Sequence, residues 1–164
     1  ENRDITRGDD IELGKVPTGV CERAESKTVG QIRETGAVFN FNGGIPYTGF
    51  GPMTRFVVAP FTGSQMISAT VVVHKPGETF EPRSYLASYD ANVVLKGKGQ
   101  AYMGGQWVDV KAGDICYAPP TVQFGTRNPA ANAEPFVTVM FASPPPYELY
   151  SDAGLLRDGK FVTL

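Results

Sequence analysis

Arg83, Tyr85 and Asp90 fall within one short stretch, RSYLASYD, and together they carry the clearest chemical potential in the chain. Arginine stays charged and offers a planar fork of donors, so Arg83 suits a carboxylate, phosphate or enolate oxygen of a ligand. Tyr85 adds a hydroxyl that can donate a hydrogen bond or carry a proton, and Asp90 adds a carboxyl that can act as acid or base. A strand's period of two puts Arg83 and Tyr85 on the same face. The opposing reading is structural: a buried arginine must be compensated, and an Arg83–Asp90 ion pair would seal the site. The two readings part on whether a cavity remains.

His74 is the only histidine, and an imidazole titrates near neutrality, which makes it the natural acid-base candidate. It ends QMISATVVVH, a strand pattern with Ile67, Ala69, Val71 and Val73 on one face and Ser68, Thr70, Val72 and His74 on the other. The first face is the more apolar. That predicts an outward or interface position for His74, and a ligand-binding one only if the strand faces the other way. Phe124, with Tyr117, Tyr102, Trp107 and Met103 nearby in sequence, supplies either core filling or an apolar wall for an aromatic ligand. Asn92 and Gln123 are candidate polar liners, and Glu78 and Glu81 belong to a solvated turn.

The elements that must position these residues are short. Apolar runs such as NVVL, WVDV and ICYA are punctuated by glycine pairs and Pro119-Pro120, the pattern of antiparallel strands joined by tight turns. AVFNF and RFVVAP read as further strands, and GGIPYTGFGP as a long loop whose Tyr47 and Phe50 cover a cavity mouth. Phe136 to Phe141 is another strand, after which PPPYELY is expected to continue as an extended path. Asp158-Gly159 marks a closing hairpin. Residues 1–36 hold nearly half of the charges and read as a solvated N-terminal arm; a helix within Glu22 to Glu34 is weakened by Gly30, Thr28 and Val29. Residues 37–164 form a single domain.

Composition excludes several classes. At 164 residues and 41% hydrophobic, the chain buries a real core. A net charge of −2 gives no reason to expect a nucleic-acid partner. No apolar run is long enough for a membrane span. The two cysteines, Cys21 and Cys116, cannot build a disulfide framework or a usual structural zinc site, and Cys116 in a strand reads as a buried free thiol. A cytoplasmic setting is expected.

From Gly77 to Asn128 the chain resembles the cupin family, whose two sequence motifs hold turn residues at fixed offsets. Gly77 and Gly97 stand where the first motif opens and closes. Gly113, Pro119 and Asn128 stand at the frame positions of the second. The resemblance implies an all-β, cupin-type jelly-roll β-barrel with a charged N-terminal arm. It further implies that the intervening residues point inward and that the protein forms a homodimer.

The family's metal ligands, three histidines and a glutamate, fall here on Arg83, Tyr85, Phe124 and Asp90, and the glycine after the proline has become Thr121. One carboxylate beside an arginine is not a transition-metal donor set. The expectation is therefore a metal-independent enzyme without cofactor, an isomerase, dehydratase or lyase acting on a small carboxylate, enol or aromatic substrate. A non-catalytic binding or structural role is the alternative.

Overall fold

The computed structural model describes residues 22–161. The charged stretch before Glu22, including Cys21, lies outside the described residues. The first regular helix, α1 (Val29–Thr35), is short and well capped. The Thr28 hydroxyl accepts from the Gln31 backbone N–H, and the Gln31 side chain accepts from the Thr28 N–H. Thr28 therefore starts the helix rather than weakening it. Ile32 packs against the turn at Gly63, where an added Cβ would lie 2.8 Å from its methyl carbon, so this part of the arm lies on the barrel. The AVFNF strand does not form: only Val38 makes an isolated bridge, to Arg23.

Strands β1 (Ile45–Tyr47), β2 (Met53–Val58) and β3 (Ser68–His74) follow. Next come β4 (Thr79–Arg83), β5 (Tyr89–Lys96), β6 (Lys98–Met103) and β7 (Gln106–Lys111). Then β8 (Ile115–Ala118), β9 (Phe124–Arg127) and β10 (Phe136–Ser143) complete the barrel strands. The predicted loop GGIPYTGFGP thus contains an edge strand, β1. One sheet has the order β1-β2-β3-β10-β5-β8, the other β4-β9-β6-β7, and the pairings are antiparallel.

After β10 the prolines end the strand, but the chain does not stay extended. Helix α2 (Tyr147–Asp152) begins directly after Pro146, because proline is tolerated at a helix start and Glu148 in the first turn suits the dipole. The tail closes as β11 (Leu156–Arg157) and β12 (Lys160–Phe161) around Asp158-Gly159, both at positive φ, as the hairpin signal requires.

Cross-strand register fixes what faces inward. Ser68, Ala142, Asp90 and Ala118 form one row across β3, β10, β5 and β8; Thr70, Met140, Asn92 and Cys116 form the next. His74 Nε2 lies 3.0 Å from Thr126 Oγ1 on the opposing sheet, so this face is the barrel interior. The outward placement of His74 is thereby corrected. The more apolar face of β3, with Ala69 and Val71, packs outside the barrel against Val57 and Val139, beneath Phe39.

One end of the interior is filled by Phe56, Phe80, Val72, Met140, Leu149 and Tyr150. A smaller cluster of Ala101, Ala118 and Phe124, joined by Met103 and Cys116, lies elsewhere inside.

The motif positions act as frame. Gly97 has φ of 79°, and a Cβ there would sit 2.5 Å from the Pro135 carbonyl oxygen. Asn128 donates to the carbonyls of His74 and Glu134 and accepts from Asn132, tying two loops together. Thr121, where the family has glycine, keeps a glycine-like φ of 69°. A β-branched residue is strained there. Thr121→Gly is expected to stabilise the fold by about 0.5–1 kcal/mol, net of glycine's larger unfolded-state entropy. Chemical denaturation checks this, and a destabilised variant would contradict the strain.

Candidate functional site

Strand β4 delivers Arg83 at its end, the following turn delivers Tyr85, and β5 delivers Asp90 and Asn92 one interior row apart. Tyr85, Asp90, Asn92 and Phe124 are all buried. The Tyr85 carbonyl accepts from the Thr121 N–H at 2.8 Å, so the strained turn holds the backbone behind the tyrosine.

Arg83 does not pair with Asp90. Its Nη1 lies 3.2 Å from Asp152 Oδ2 on α2, and its guanidinium carbon sits 4.5 Å from the centre of the Phe50 ring and 4.8 Å from that of Phe80. The sequence-adjacent acid loses because Asp90 is buried on β5, while α2 brings the exposed Asp152 carboxylate alongside Arg83. Phe50, which the loop reading placed over a cavity, packs against Arg83, Tyr47 and Phe80. Glu148, one helical turn before Asp152, accepts from the Leu86 N–H at 3.1 Å, so α2 clamps the segment from Arg83 to Leu86.

The polar atoms inside are short of partners. Among the described residues, Asp90 Oδ1, Asn92 Oδ1, the Tyr85 hydroxyl, Arg83 Nε, Thr70 Oγ1 and Thr138 Oγ1 are buried with no hydrogen-bond partner, as are His74 Nδ1 and the Tyr150 hydroxyl. Each such group costs free energy, about 1–3 kcal/mol, and natural folds avoid them away from functional sites.

Burial pushes the Asp90 carboxyl up to about 7, with the Glu148 charge adding to the effect. Burial also drives the Tyr85 hydroxyl well above its ordinary range. The Arg83 charge pulls it back in part, while Asp90 and Glu148 add to the rise. Tyr85 therefore remains a donor, and Asp90 exchanges its proton near neutrality. Burial lowers His74 to about 4, so it stays neutral; its ring tilts against Phe136 at 5.4 Å. His74 sits in the interior as a hydrogen-bonded core histidine, on a different row from Asp90 and Asn92.

Other candidates fall elsewhere. Tyr117 is 56% exposed, because its register partner Ala91 places it on the outer face of the sheet. Gln123 is exposed in the turn before β9. Tyr102 and Trp107 pair on the outer face of the smaller sheet, where Arg127 stacks on Trp107 at 4.2 Å. Of the aromatic and apolar group, Phe124 and Met103 are the ones turned inward. Cys116 is half-buried rather than buried, its thiol pushed up by burial and by the charge of Asp114.

Sequence reasoning missed Asp152, Glu148 and the interior threonines Thr70 and Thr138. The i, i+4 spacing of Glu148 and Asp152 after a proline was the available signal for the first two. Among the described residues no three His, Cys, Asp or Glu side chains come together as a metal site, and Asp90 with a cationic Arg83 and an apolar Phe124 does not fit a transition metal.

Two antiparallel sheets facing each other across a partly polar interior define a jelly-roll β-barrel. Residues 70–140, from β3 to β10, match the family model described as the cupin domain. That segment is thus similar to the cupin domain, and the barrel shares its fold with solved cupin-like structures.

A double-stranded β-helix protein from Klebsiella pneumoniae is 24% identical, with 66% of this chain and 90% of that one covered and a TM-score of 0.56. KdgF from a Halomonas species is 17% identical, with coverage of 70% and 99% and a TM-score of 0.57. A predicted oxalate decarboxylase from Thermotoga maritima is 15% identical, with coverage of 65% and 98% and a TM-score of 0.56. At these identities the likeness shows the fold. No curated protein matches the sequence. No helix among the described residues is long and apolar enough to cross a membrane.

Proposed function

We propose that this cupin is a metal-independent enzyme that moves a proton on a small oxygenated substrate, by isomerase, dehydratase or lyase chemistry. The observation that carries it is Asp90: a buried carboxyl held near 7, with its Oδ1 unpartnered among the described residues and a buried tyrosine hydroxyl in its electrostatic reach. A general acid-base works best when its pKa lies near the operating pH. In this reading Asp90 takes the proton from carbon or oxygen and returns it. Tyr85, kept protonated, donates to the oxyanion that develops. Arg83 anchors the substrate's negative end, and Asn92 and Phe124 line the space around it. His74, neutral and already bonded to Thr126, holds the barrel wall rather than exchanging protons.

The test is a panel of small carboxylates, enols and β-keto acids incubated with chelator-treated protein and followed by NMR. Turnover that survives chelation and falls at least about 100-fold in Tyr85→Phe supports the proposal. Turnover that appears only with added transition metal, or that is intact in both Arg83→Ala and Tyr85→Phe, removes it. A non-catalytic small-molecule-binding or structural protein is the second reading, favoured by the packing of Phe50, Phe80 and Asp152 around Arg83. Saturable thermal shifts without turnover across the panel would establish that reading instead. Homodimerisation belongs to the proposal through the family resemblance alone, and a monomeric species in sedimentation velocity would remove it.

A further inference from the structure

We infer that the Arg83–Asp152 contact marks a carboxylate subsite, in which Asp152 occupies the place that the substrate's own carboxylate takes. The inference rests on the proposed reading of the barrel interior as a substrate site, and it names the substrate class.

The surroundings of the guanidinium leave a ligand few ways to approach. Phe50 and Phe80 lie against it at 4.5 and 4.8 Å, so its remaining reach is through its N–H edge. That edge is used only in part: Nη1 meets Asp152 at 3.2 Å, while Nε is buried and has no hydrogen-bond partner among the described residues. A guanidinium recognises a carboxylate best through two parallel N–H donors, and Asp152 supplies a single contact.

The pair is also lopsided. The Arg83 side chain is 24% exposed and that of Asp152 is 61% exposed. The arginine belongs to the site and its partner to the surface, and an exposed acid partner is readily displaced. Displacement need not unfold α2, because Leu149 and Tyr150 are fully buried and Glu148 independently holds the Leu86 N–H. Only the last side chain of the helix must swing away.

Behind Arg83 wait the Tyr85 hydroxyl, whose charge environment includes both Arg83 and Asp90, and the unpartnered Asp90 oxygen. A ligand anchored by its carboxylate would direct its adjoining carbon and any oxygen on it toward these groups. The class is a small carboxylic acid bearing a keto or hydroxyl group close to the carboxylate.

The test measures binding of pyruvate and benzoate, with benzamide as neutral isostere, by ligand-observed NMR titration of the whole chain. In Asp152→Asn and Asp152→Ala, Kd for both acids is expected to fall by about 3- to 10-fold, with benzamide unaffected, because the internal competitor is gone. Arg83→Gln is expected to abolish acid binding in either background. Asp152 variants that bind the acids no more tightly, or more weakly, would overturn the inference, as would acid binding that persists in Arg83→Gln. Tighter acid binding without turnover in any variant would leave the carboxylate subsite standing and remove the proton-transfer reading. Asp152 is exposed, and a circular dichroism spectrum matching the unaltered chain confirms that its variants are folded.

Discussion

Asp90→Asn is expected to raise the melting temperature at pH 8 by roughly 5–10 °C while slowing the proposed turnover by about 10²- to 10⁴-fold. Folding lifts the Asp90 carboxyl to about 7 from an ordinary value of 3.8. Below the ordinary value both folded and unfolded chains hold the proton, and the residue has no effect on stability. Between there and about pH 7 the folded chain still holds a proton that the unfolded chain has released, so stability falls as pH rises. Above about 7 both states are ionised and the folded chain carries the full penalty of a buried charge. Allowing for partial solvation, that penalty is on the order of 2–3 kcal/mol, and a domain of this size moves by about 2–4 °C for each kcal/mol. Asparagine keeps the shape and never ionises.

His74 sharpens the test. Its value is lowered to about 4, so below about 6.5 the unfolded chain takes up a proton that the folded chain refuses, and stability falls as pH falls. In the natural chain this loss runs against the gain from Asp90 over the same interval. In Asp90→Asn it is unopposed. The variant's advantage at pH 8 should therefore shrink toward nothing near pH 4, and thermal melts across that range measure it. A variant less stable at pH 8 would show that the ionised carboxylate is held favourably, against the acid-base role. Loss of a positioned acid-base group is expected to slow the reaction by about 10²- to 10⁴-fold.

Tyr150→Ala is expected to lower the melting temperature by about 10–15 °C. Tyr150 is fully buried and packs against Phe56 at 5.4 Å, and against Phe61 and Phe161 at 5.7 Å each. Truncating so large a side chain removes its apolar burial and leaves a cavity, about 3–5 kcal/mol in all. The same ring seats α2 on the barrel, so the variant also loosens Asp152 from Arg83. Tyr150→Phe keeps the packing and should retain most of the stability. If Tyr150→Ala melts within about 3 °C of the natural chain, α2 is not part of the barrel's cooperative core.

The barrel frame was legible because turns are local. Gly97 needs positive φ whatever surrounds it, and the fixed offsets of Gly77, Gly113, Pro119 and Asn128 record where strands end. Strand β3 was equally clear in its alternation, yet its orientation was misjudged. Hydrophobicity argues that the apolar face goes inward, but here both faces are covered: Ser68, Thr70 and His74 face the interior, and Ala69 and Val71 are packed over from outside. AVFNF has the composition of a strand but only an isolated bridge to pair with, and pairing is a long-range event that composition does not encode.

By itself the sequence determined the antiparallel barrel, the burial of Tyr85 and Asp90, and the replacement of the family's metal ligands by groups unsuited to a transition metal. Those follow from residue type and short-range spacing. Only the tertiary structure decided Arg83's partner. Asp152 lies 69 residues away along the chain, and it reaches Arg83 because α2 follows the prolines and is seated on the barrel by Tyr150. The tertiary structure also decided the raised pKa of Asp90, since a carboxyl's pKa is set by the burial and the neighbouring Glu148 charge that folding assembles around it.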